Sequence, residues 1–185
     1  MLRIISGEHK GRTIKTIPGR DTRPTTDRVK EALFNIIQNK LFGSQILDLY
    51  SGTGNLGLEA LSRGAENVVF VEKSPAALKV LHENCHCMNY TENVKILPYD
   101  VKKALVFLSK HGCIFDIVFM DPPYDKGFEV PTIQSIDEHN LLNSEGIIIV
   151  EHLLLNNLPS HIGSFSRYDH RKYGKTAISF YRKGI

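Results

Sequence analysis

Short apolar runs that alternate with helical patterns restrict the fold of this chain more than any other feature. From residue 45 onward, most apolar runs are followed by a segment with helical spacing and with capping or helix-ending residues at its ends. Strands buried on both faces are mostly continuous apolar runs, and parallel neighbours need a crossover connection between them. The order therefore predicts an α/β protein with a parallel sheet. The predicted strands are 45–50, 67–72, 94–97, 115–120 and 146–151.

The two ends of the sequence depart from this alternating pattern. Segments 163–170 and 176–182 flank a turn and predict an antiparallel hairpin at the sheet edge. Segments 2–6 and 12–17 predict a second, smaller hairpin, and an amphipathic helix follows it. We therefore expect a seven-stranded, mostly parallel sheet with an antiparallel last strand. Residues 1–40 would form a basic extension packed on a domain that spans residues 41–185.

Positive charge is concentrated at both ends of the chain. Residues 1–30 hold eight Lys or Arg against three acids, and residues 167–183 hold six against one, although the net charge is only +3. If the ends meet, they form a surface suited to a polyanion such as nucleic acid. The same numbers of charged residues are expected equally well if these side chains are spread over the surface and contact only solvent. The candidate phosphate contacts are Arg3, Lys10, Arg12, Arg171 and Lys172.

Several classes of protein are excluded by composition. No apolar stretch approaches the roughly 18 residues that a membrane span needs. The three cysteines are an odd number, and two of them are too close in sequence for a bridge, so we do not expect a secreted disulfide framework. His82, Cys85, His86 and Cys87 match no standard zinc spacing, and we expect no metal. A cytoplasmic protein is the expectation.

A glycine-rich loop joins the first strand of the predicted sheet to its helix. Gly52, Gly54 and Gly57 form a complete G-x-G-x-x-G after Asp48. Glycines there let the backbone approach a ligand and leave amides open at a helix N-terminus. Glu72 ends the next strand, where a carboxylate can accept both hydroxyls of a ribose. The pattern predicts a nucleoside-containing cofactor, which is either a dinucleotide or S-adenosylmethionine (SAM).

A second motif decides between the two cofactors. Asp121, Pro122, Pro123 and Tyr124 follow strand 115–120, at the sheet edge where open α/β folds bind ligands. The prolines stiffen the loop, so the Asp121 carboxylate and the Pro122 carbonyl can accept from an exocyclic amine. Tyr124 offers a ring on which a flat base can stack. Together these residues predict methyl transfer to a base amine, which favours SAM.

At these residues the sequence resembles known families. Residues 121–124 resemble the D/N-P-P-Y/F/W motif of SAM-dependent amino-methyltransferases, and residues 48–57 resemble their cofactor loop. Segments 23–35, 57–65 and 173–177 resemble the RsmD family, bacterial methyltransferases of guanine N2 in 16S ribosomal RNA. This resemblance covers nearly the whole chain. It implies a class I SAM-dependent methyltransferase fold, which is Rossmann-like.

The resemblance also implies roles for single residues. Asp100 would accept from the adenine amine, a role compatible with simple helix capping. Arg23 and Thr25 would border the active site, unless they only cap and anchor the helix after them. The implied cofactor-binding residues are Asp48, Gly52, Gly54, Gly57, Glu72 and Asp100, and the implied catalytic residues are Asp121, Pro122, Pro123 and Tyr124.

The implied substrate is ribosomal RNA, within the small subunit or an assembly intermediate, and the implied protein is a monomer without metal or membrane contact.

An adenine-N6 DNA methyltransferase has the same motif order. The first 40 residues leave little room for the domain that reads DNA sequence. A dinucleotide-dependent oxidoreductase leaves the Asp-Pro-Pro-Tyr loop unexplained. A catalytically silent RNA-binding module is disfavoured by the intact Asp121 and Tyr124.

Overall fold

A mostly parallel sheet with helices on both faces forms the centre of the molecule. The computed structural model describes residues 2–17, 27–123 and 126–184. The strands are β1 (Leu2–Arg3), β2 (Thr13–Ile14), β3 (Gln45–Leu49), β4 (Asn67–Val71), β5 (Val94–Leu97), β6 (Phe115–Met120), β7 (Leu142–Leu153), β8 (His161–Ile162), β9 (Phe165–Tyr173) and β10 (Thr176–Lys183). The helices are α1 (Asp27–Ile37), α2 (Asn55–Ser62), α3 (Pro75–Cys87), α4 (Val101–Lys110) and α5 (Glu129–Glu138), and a 3-10 turn, Gln38–Lys40, extends α1.

The order of the strands confirms the predicted fold class. Across the sheet the order is β5-β4-β3-β6-β7-β10-β9-β8, and β1 pairs only with β2. Strands β5, β4, β3, β6 and β7 are parallel, and β10 runs antiparallel to both β7 and β9. The predicted count of seven is one too low, because the two-residue strand β8 adds to the edge beside β9. Two residues are too few for a recognisable pattern.

The chain changes direction across the sheet between β3 and β6. It first adds β4 and β5 on one side of β3, and then returns to add β6 and β7 on the other. In open α/β sheets the ligand crevice lies at this reversal, outside the carboxyl ends of the strands. The parallel register pairs Leu49 with Met120, and Met120 with Val150. The residues that follow β3 and β6 therefore emerge side by side at this crevice.

Most helix boundaries follow the signals in the sequence. The Ser74 hydroxyl accepts from the Ala77 amide (3.4 Å) before α3, and the Asp100 carboxylate accepts from the Lys103 amide (3.0 Å) before α4. Helix α5 was not predicted. It carries Pro131 in its first turn, where a missing N–H removes no helical hydrogen bond. None of the helices in the described ranges is long and apolar enough to cross a membrane.

The N-terminal segment shares its core with the rest of the molecule. Leu2, Ile4 and Ile14 belong to the same buried cluster as residues of α1, α2 and the sheet. On α1, the Phe34 ring lies 5.6 Å from the Phe119 ring of β6, measured between centroids. Residues 2–17 and α1 therefore have no separate hydrophobic core.

A buried ion pair also ties the N-terminal segment to α2. Lys30 and Glu59 are both fully buried, and the Lys30 ammonium lies 3.1 Å from the Glu59 carboxylate. The same ammonium donates to the Arg3 carbonyl (2.6 Å) and to the side-chain oxygen of Asn55 (2.9 Å), while the Ile5 amide donates to Glu59 (2.8 Å). Burial lowers the pKa of Lys30, and Glu59 opposes that shift. The pair connects the first strand to the first turn of α2.

We expect Lys30→Met to lower the free energy of unfolding by about 1–3 kcal/mol, because the Arg3 carbonyl and the Asn55 oxygen lose their buried donor, while Glu59 keeps the Arg63 guanidinium at 2.7 Å. Denaturant titration of the two proteins gives this difference directly. The control is Lys40→Met, which removes an exposed lysine and should change stability by less than about 0.5 kcal/mol. Equal stabilities for Lys30→Met and Lys40→Met would show that the pair contributes nothing.

Candidate active site

A large cavity opens at the carboxyl ends of the parallel strands. Its volume is about 1420 Å³, above the range of roughly 300–1,000 Å³ of small-molecule sites. It therefore has room for a nucleoside cofactor and a second planar group. Leu2, Thr16 and Ile17 from the N-terminal segment also line this cavity. The sequence-predicted residues that line it are Asp48, Gly52, Glu72, Asp100, Asp121, Pro122 and Pro123.

The three motif glycines serve different physical needs. Gly52 and Gly54 have φ angles of +55° and +90°, in the left-handed region that favours glycine. A Cβ atom on Gly52 would meet open space, whereas one on Gly57 would collide with the ring of Phe70 on β4. Gly57 lets α2 pack closely on the sheet, and Gly52 is the glycine that lines the cavity.

The Glu72 carboxylate is held in place by backbone amides. One oxygen accepts from the Gly52 amide (2.9 Å), and the other accepts from the amides of Lys73 (2.8 Å) and Ser74 (2.7 Å). These bonds fix the carboxylate at the end of β4, beside the glycine loop. The side chain is only partly buried and lines the cavity, so its oxygens stay accessible to ligand hydroxyls.

Asp48 lies beneath the glycine loop and is almost fully buried. Its carboxylate accepts from the Gly57 amide at 2.9 Å. Burial raises the pKa of Asp48 to about 7; the nearby Glu72 charge adds to the shift, while the Gly57 hydrogen bond opposes it. The carboxyl group can therefore be neutral or charged near neutral pH, and a nearby cation would favour the charged form.

Asp100 combines the helix-capping position with a place on the cavity wall. Its carboxylate caps α4, and its second oxygen lies 3.7 Å from the Lys103 ammonium. The neighbouring Tyr99 lines the same wall. Capping uses one oxygen mainly, which leaves acceptor sites on the other.

Asp121 follows β6 directly, at the centre of the crevice. Burial raises the pKa of Asp121 well above its ordinary value, and the charges of Glu151 and Asp48 raise it further. Pro122 is buried and Pro123 is exposed beside it. Tyr124 lies outside the described residues, so its stacking role stays a prediction.

Tyr50 and Phe128 are cavity residues that the sequence analysis missed. Tyr50 has a φ of 59°, which is unusual for a bulky residue. Its ring stacks on Phe128 at 6.0 Å between centroids, and its hydroxyl lies 2.8 Å from the Thr132 hydroxyl. The one available signal was an aromatic residue immediately before a glycine loop. The Phe128 contact depends on α5, which the pattern did not reveal.

The predicted RNA contacts do not all lie near the cavity. Arg3 is exposed next to the cavity residue Leu2, and its guanidinium donates to Asp27 at 3.0 Å. The turn that holds Lys10 packs at the opposite end of α2, where the Glu8 amide donates to the Ser62 carbonyl. Helix α2 has eight residues, which separates this turn from the glycine loop by roughly 12 Å.

The other candidate RNA contacts are at the second basic end or outside the described ranges. Arg171 and Lys172 are exposed on β9, near the turn that joins β9 to β10, and Arg171 donates to Asp169 at 3.0 Å. The pairing of Thr176 with Leu153 places this turn at the same sheet edge as the cavity. Arg23 and Thr25 lie outside the described residues.

The histidine and cysteine residues of α3 line a separate cavity of about 590 Å³, together with Lys15 and residues of β5. Across residues 2–17, 27–123 and 126–184, no three His, Cys, Asp or Glu side chains are grouped so that they could hold a metal ion.

The strand order and the cavity together define the class I methyltransferase fold, in which the first strand of the core ends in the glycine loop and the fourth ends in Asp121. More specifically, the chain belongs to the family described as "Conserved hypothetical protein 95", whose model matches residues 2–182, and this is the RsmD family. The resemblance seen in the sequence is confirmed.

Similar proteins from two bacteria cover nearly the whole chain. "Putative rRNA methyltransferase YlbH" of Bacillus subtilis is 37% identical over 182 residues, which are 98% of this chain and 99% of that protein. "Ribosomal RNA small subunit methyltransferase D" of Escherichia coli is 34% identical and covers 98% and 90%. The solved structure "Putative methyltransferase yhhF from Escherichia coli" has a TM-score of 0.85 at 32% identity, covering 100% and 98%.

Proposed function

We propose that this chain transfers a methyl group from SAM to the exocyclic N2 amine of a guanine in 16S ribosomal RNA. The observation that carries the proposal is one cavity that holds Gly52, Glu72 and Asp100 together with Asp121 and Pro122. The relatives named as rRNA methyltransferases support an enzyme that methylates ribosomal RNA. The choice of guanine N2 rests on the family resemblance.

The cofactor would lie along the ends of β3, β4 and β5. SAM supplies an electrophilic methyl group on a positively charged sulfur. Glu72 would accept from the two ribose hydroxyls, and Asp100 from the adenine amine. The glycine loop and Asp48 would hold the remaining part of the cofactor, with the charged form of Asp48 favoured by the positive charge. Tyr50 and Phe128 contribute apolar surface to the same cavity.

The acceptor base would lie beside Asp121. Its amine offers two N–H donors, and the Asp121 carboxylate and Pro122 carbonyl provide two acceptors in a loop stiffened by proline. This pairing orients the nitrogen towards the methyl group, and orientation of this kind supplies most of the rate in a displacement. We propose that Tyr124 stacks on the base. The guanine must leave its stack to reach the cavity, at least cost in a single-stranded RNA loop.

Residues 1–40 would form the RNA-contacting extension of the catalytic domain, 41–185. Leu2, Thr16 and Ile17 line the same cavity as Asp121. Arg23 and Thr25 fall between β2 and α1 in sequence, and we propose that they border the entry for the base. Arg3, Arg171 and Lys172 would contact phosphates close to the target, with Lys10 further away. Arg12, whose carbonyl accepts from the Ile4 amide, would contact phosphates beside Arg3.

The two basic ends should contribute separately to RNA affinity. We expect Arg171→Ala/Lys172→Ala and Lys10→Ala/Arg12→Ala each to weaken binding of an RNA fragment and to flatten its salt dependence. Each lost phosphate contact reduces the log–log slope by about 0.7 for single strands. Filter binding at several salt concentrations measures both quantities, and SAM affinity should stay unchanged. If a double variant keeps the RNA affinity and the salt slope of the unaltered protein, that end of the chain is not part of the RNA-binding surface.

A methylation assay with RNA and DNA acceptors distinguishes the proposed activity from that of an adenine-N6 DNA methyltransferase. Labelled SAM is incubated with small ribosomal subunits, naked 16S RNA and duplex DNA, the RNA coming from cells that lack this protein. We expect label in one or both RNA samples and none in DNA. Label in DNA alone would replace the proposal with the alternative.

The setting of the reaction follows from its substrate. We propose that the protein acts in the cytoplasm as a monomer, on the small subunit or on an assembly intermediate. The labelled-SAM assay distinguishes these substrates, because naked RNA and assembled subunits are offered as separate acceptors. Gel filtration with light scattering tests the oligomeric state.

A further inference from the structure

Asn84 is a polar residue on the buried face of α3. The other buried residues of this helix are Ala77, Leu81 and Cys85, and the exposed fraction of Asn84 is only 1%. Burying an amide costs free energy unless its donors and acceptor are paired, whereas an apolar side chain at the same place would add to the core. The burial of Asn84 therefore indicates a need for its hydrogen bonds.

The Asn84 side chain joins two segments that are far apart in sequence. Its oxygen accepts from the Lys15 amide (2.9 Å), and its nitrogen donates to the Lys15 carbonyl (3.1 Å) and to the Thr53 carbonyl (2.9 Å). The oxygen and both N–H groups of the side chain are thereby used. One buried amide holds the chain just after β2 against the glycine loop.

Both of these segments line the large cavity. Thr53 lies between Gly52 and Gly54 in the loop that would hold the cofactor, and Thr16 and Ile17 follow Lys15 directly. Lys15 pairs with Asn84 through both its N–H and its carbonyl, as in a hydrogen-bonded pair of strand residues. Two such bonds fix the direction of the backbone as well as its distance. Asn84 therefore sets where Thr16 and Ile17 enter the cavity.

A second buried polar side chain joins the same two parts of the molecule at β1. The Lys30 ammonium donates to the Arg3 carbonyl and to the side-chain oxygen of Asn55, which begins α2 after the glycine loop. Asn55 and Leu2, the neighbour of Arg3, also line the cavity. Each strand of the β1–β2 hairpin is thus fixed to the glycine loop or to the helix that follows it.

Methyl transfer depends on the distance and the angle between two reactants. The amine nitrogen forms a bond to the methyl carbon while the carbon–sulfur bond breaks, and that bonding pair stays on sulfur as a neutral thioether. One N–H proton then leaves the nitrogen for the Asp121 carboxylate. A displacement of about 1 Å between the reactants costs roughly 100-fold in rate. The parts of the protein that hold the cofactor and the RNA must therefore be fixed relative to each other.

We propose that Asn84 is a positioning residue, which fixes the cavity-lining residues Thr16 and Ile17 relative to the glycine loop, so that the RNA base and the methyl group meet at reacting distance. The inference rests on the proposed methylation of RNA and on the RNA contacts of the N-terminal segment. Asn84 itself does not line the cavity. Its removal should therefore slow the reaction of the bound complex more than it weakens the binding of either reactant.

The test is the single-turnover rate of Asn84→Ala with saturating SAM and 16S RNA. We expect a rate at least about tenfold below that of the unaltered protein, while the dissociation constants for SAM and for RNA change by less than about threefold. Glu83→Gln is the matched control. It removes the exposed ion pair between Glu83 and the Lys15 ammonium (3.0 Å), but it leaves the backbone of Lys15 paired with Asn84. An Asn84→Ala rate equal to the Glu83→Gln rate would overturn the inference, whatever the SAM affinity.

A second pair of variants breaks the same contact from the other side, where little folding energy is at risk. Lys15 is exposed and follows β2. Lys15→Pro removes the amide that donates to Asn84, whereas Lys15→Ala keeps it, and both variants lose the ammonium group. We expect methyl transfer at least about fivefold slower in Lys15→Pro than in Lys15→Ala, with circular dichroism to verify that both are folded. Equal rates for these two variants would contradict the inference even if Asn84→Ala does not fold.

The unaltered protein separates this inference from the proposed function. If it methylates 16S RNA while Asn84→Ala and Lys15→Pro match their controls, only the inference fails. If it transfers no methyl group to RNA, the proposed function fails and the inference fails with it.

Discussion

Asp121→Asn is expected to lower the single-turnover rate of methyl transfer by about 10²–10⁴-fold while SAM affinity changes only a few fold. The amide has the same shape as the carboxylate, but it carries no charge and cannot take up the proton from the amine. Rapid-quench measurements with saturating enzyme and labelled SAM give the rate, and calorimetry gives the affinity.

The matched control is Asp116→Asn at the opposite end of β6, where the carboxylate accepts from the Gln45 amide and from Asn143. This variant loses local hydrogen bonds far from the cavity and should keep a near-normal rate. An Asp121→Asn rate within a few fold of the Asp116→Asn rate would mean that Asp121 only shapes the loop.

Glu72→Ala should raise the dissociation constant for SAM at least about 100-fold. It removes two charge-assisted hydrogen bonds to the ribose, each contributing about 1.5–3 kcal/mol. It also releases the Gly52, Lys73 and Ser74 amides that the carboxylate holds, so the glycine loop loses its support. Isothermal titration calorimetry measures the change, with circular dichroism to verify folding.

Glu92→Ala serves as the comparison, because Glu92 is exposed in the loop before β5. Its removal changes the net charge equally and should leave the dissociation constant unaltered. Similar affinities in the two variants would place the ribose elsewhere in the cavity. Binding of NAD in place of SAM would contradict the assignment of the cofactor.

The sequence predicted the strands and motifs that depend on local signals. Strands β5 and β6 have the predicted bounds, and β3 and β4 end one residue earlier than predicted. Ser74 and Asp100 cap their helices because capping needs only a polar side chain three residues from an open amide. The glycine loop and Asp121 could also be placed, since residues at the carboxyl ends of parallel strands meet at one edge.

Features that depend on register or on distant contacts could not be predicted. Glu151 looks like the polar end of an apolar strand, and only the pairing of β6 with β7 places it opposite Asp121. Lys30 is a charged residue outside the apolar stripe of α1, which favours an exposed position, yet it is buried against Glu59 and Asn55. The position of Lys10 likewise follows from packing against the end of α2, which no local spacing reveals.

Nucleoside analysis of methylated RNA tests the central claim most directly. Small subunits and 16S RNA from cells without this protein are incubated with it and SAM, then digested to nucleosides and analysed by mass spectrometry. The account predicts one N2-methylguanosine per RNA molecule, and far less at the same incubation time with Asp121→Asn. Methylation of adenine N6, of a ring carbon or of a ribose hydroxyl, with no N2-methylguanosine, would contradict it.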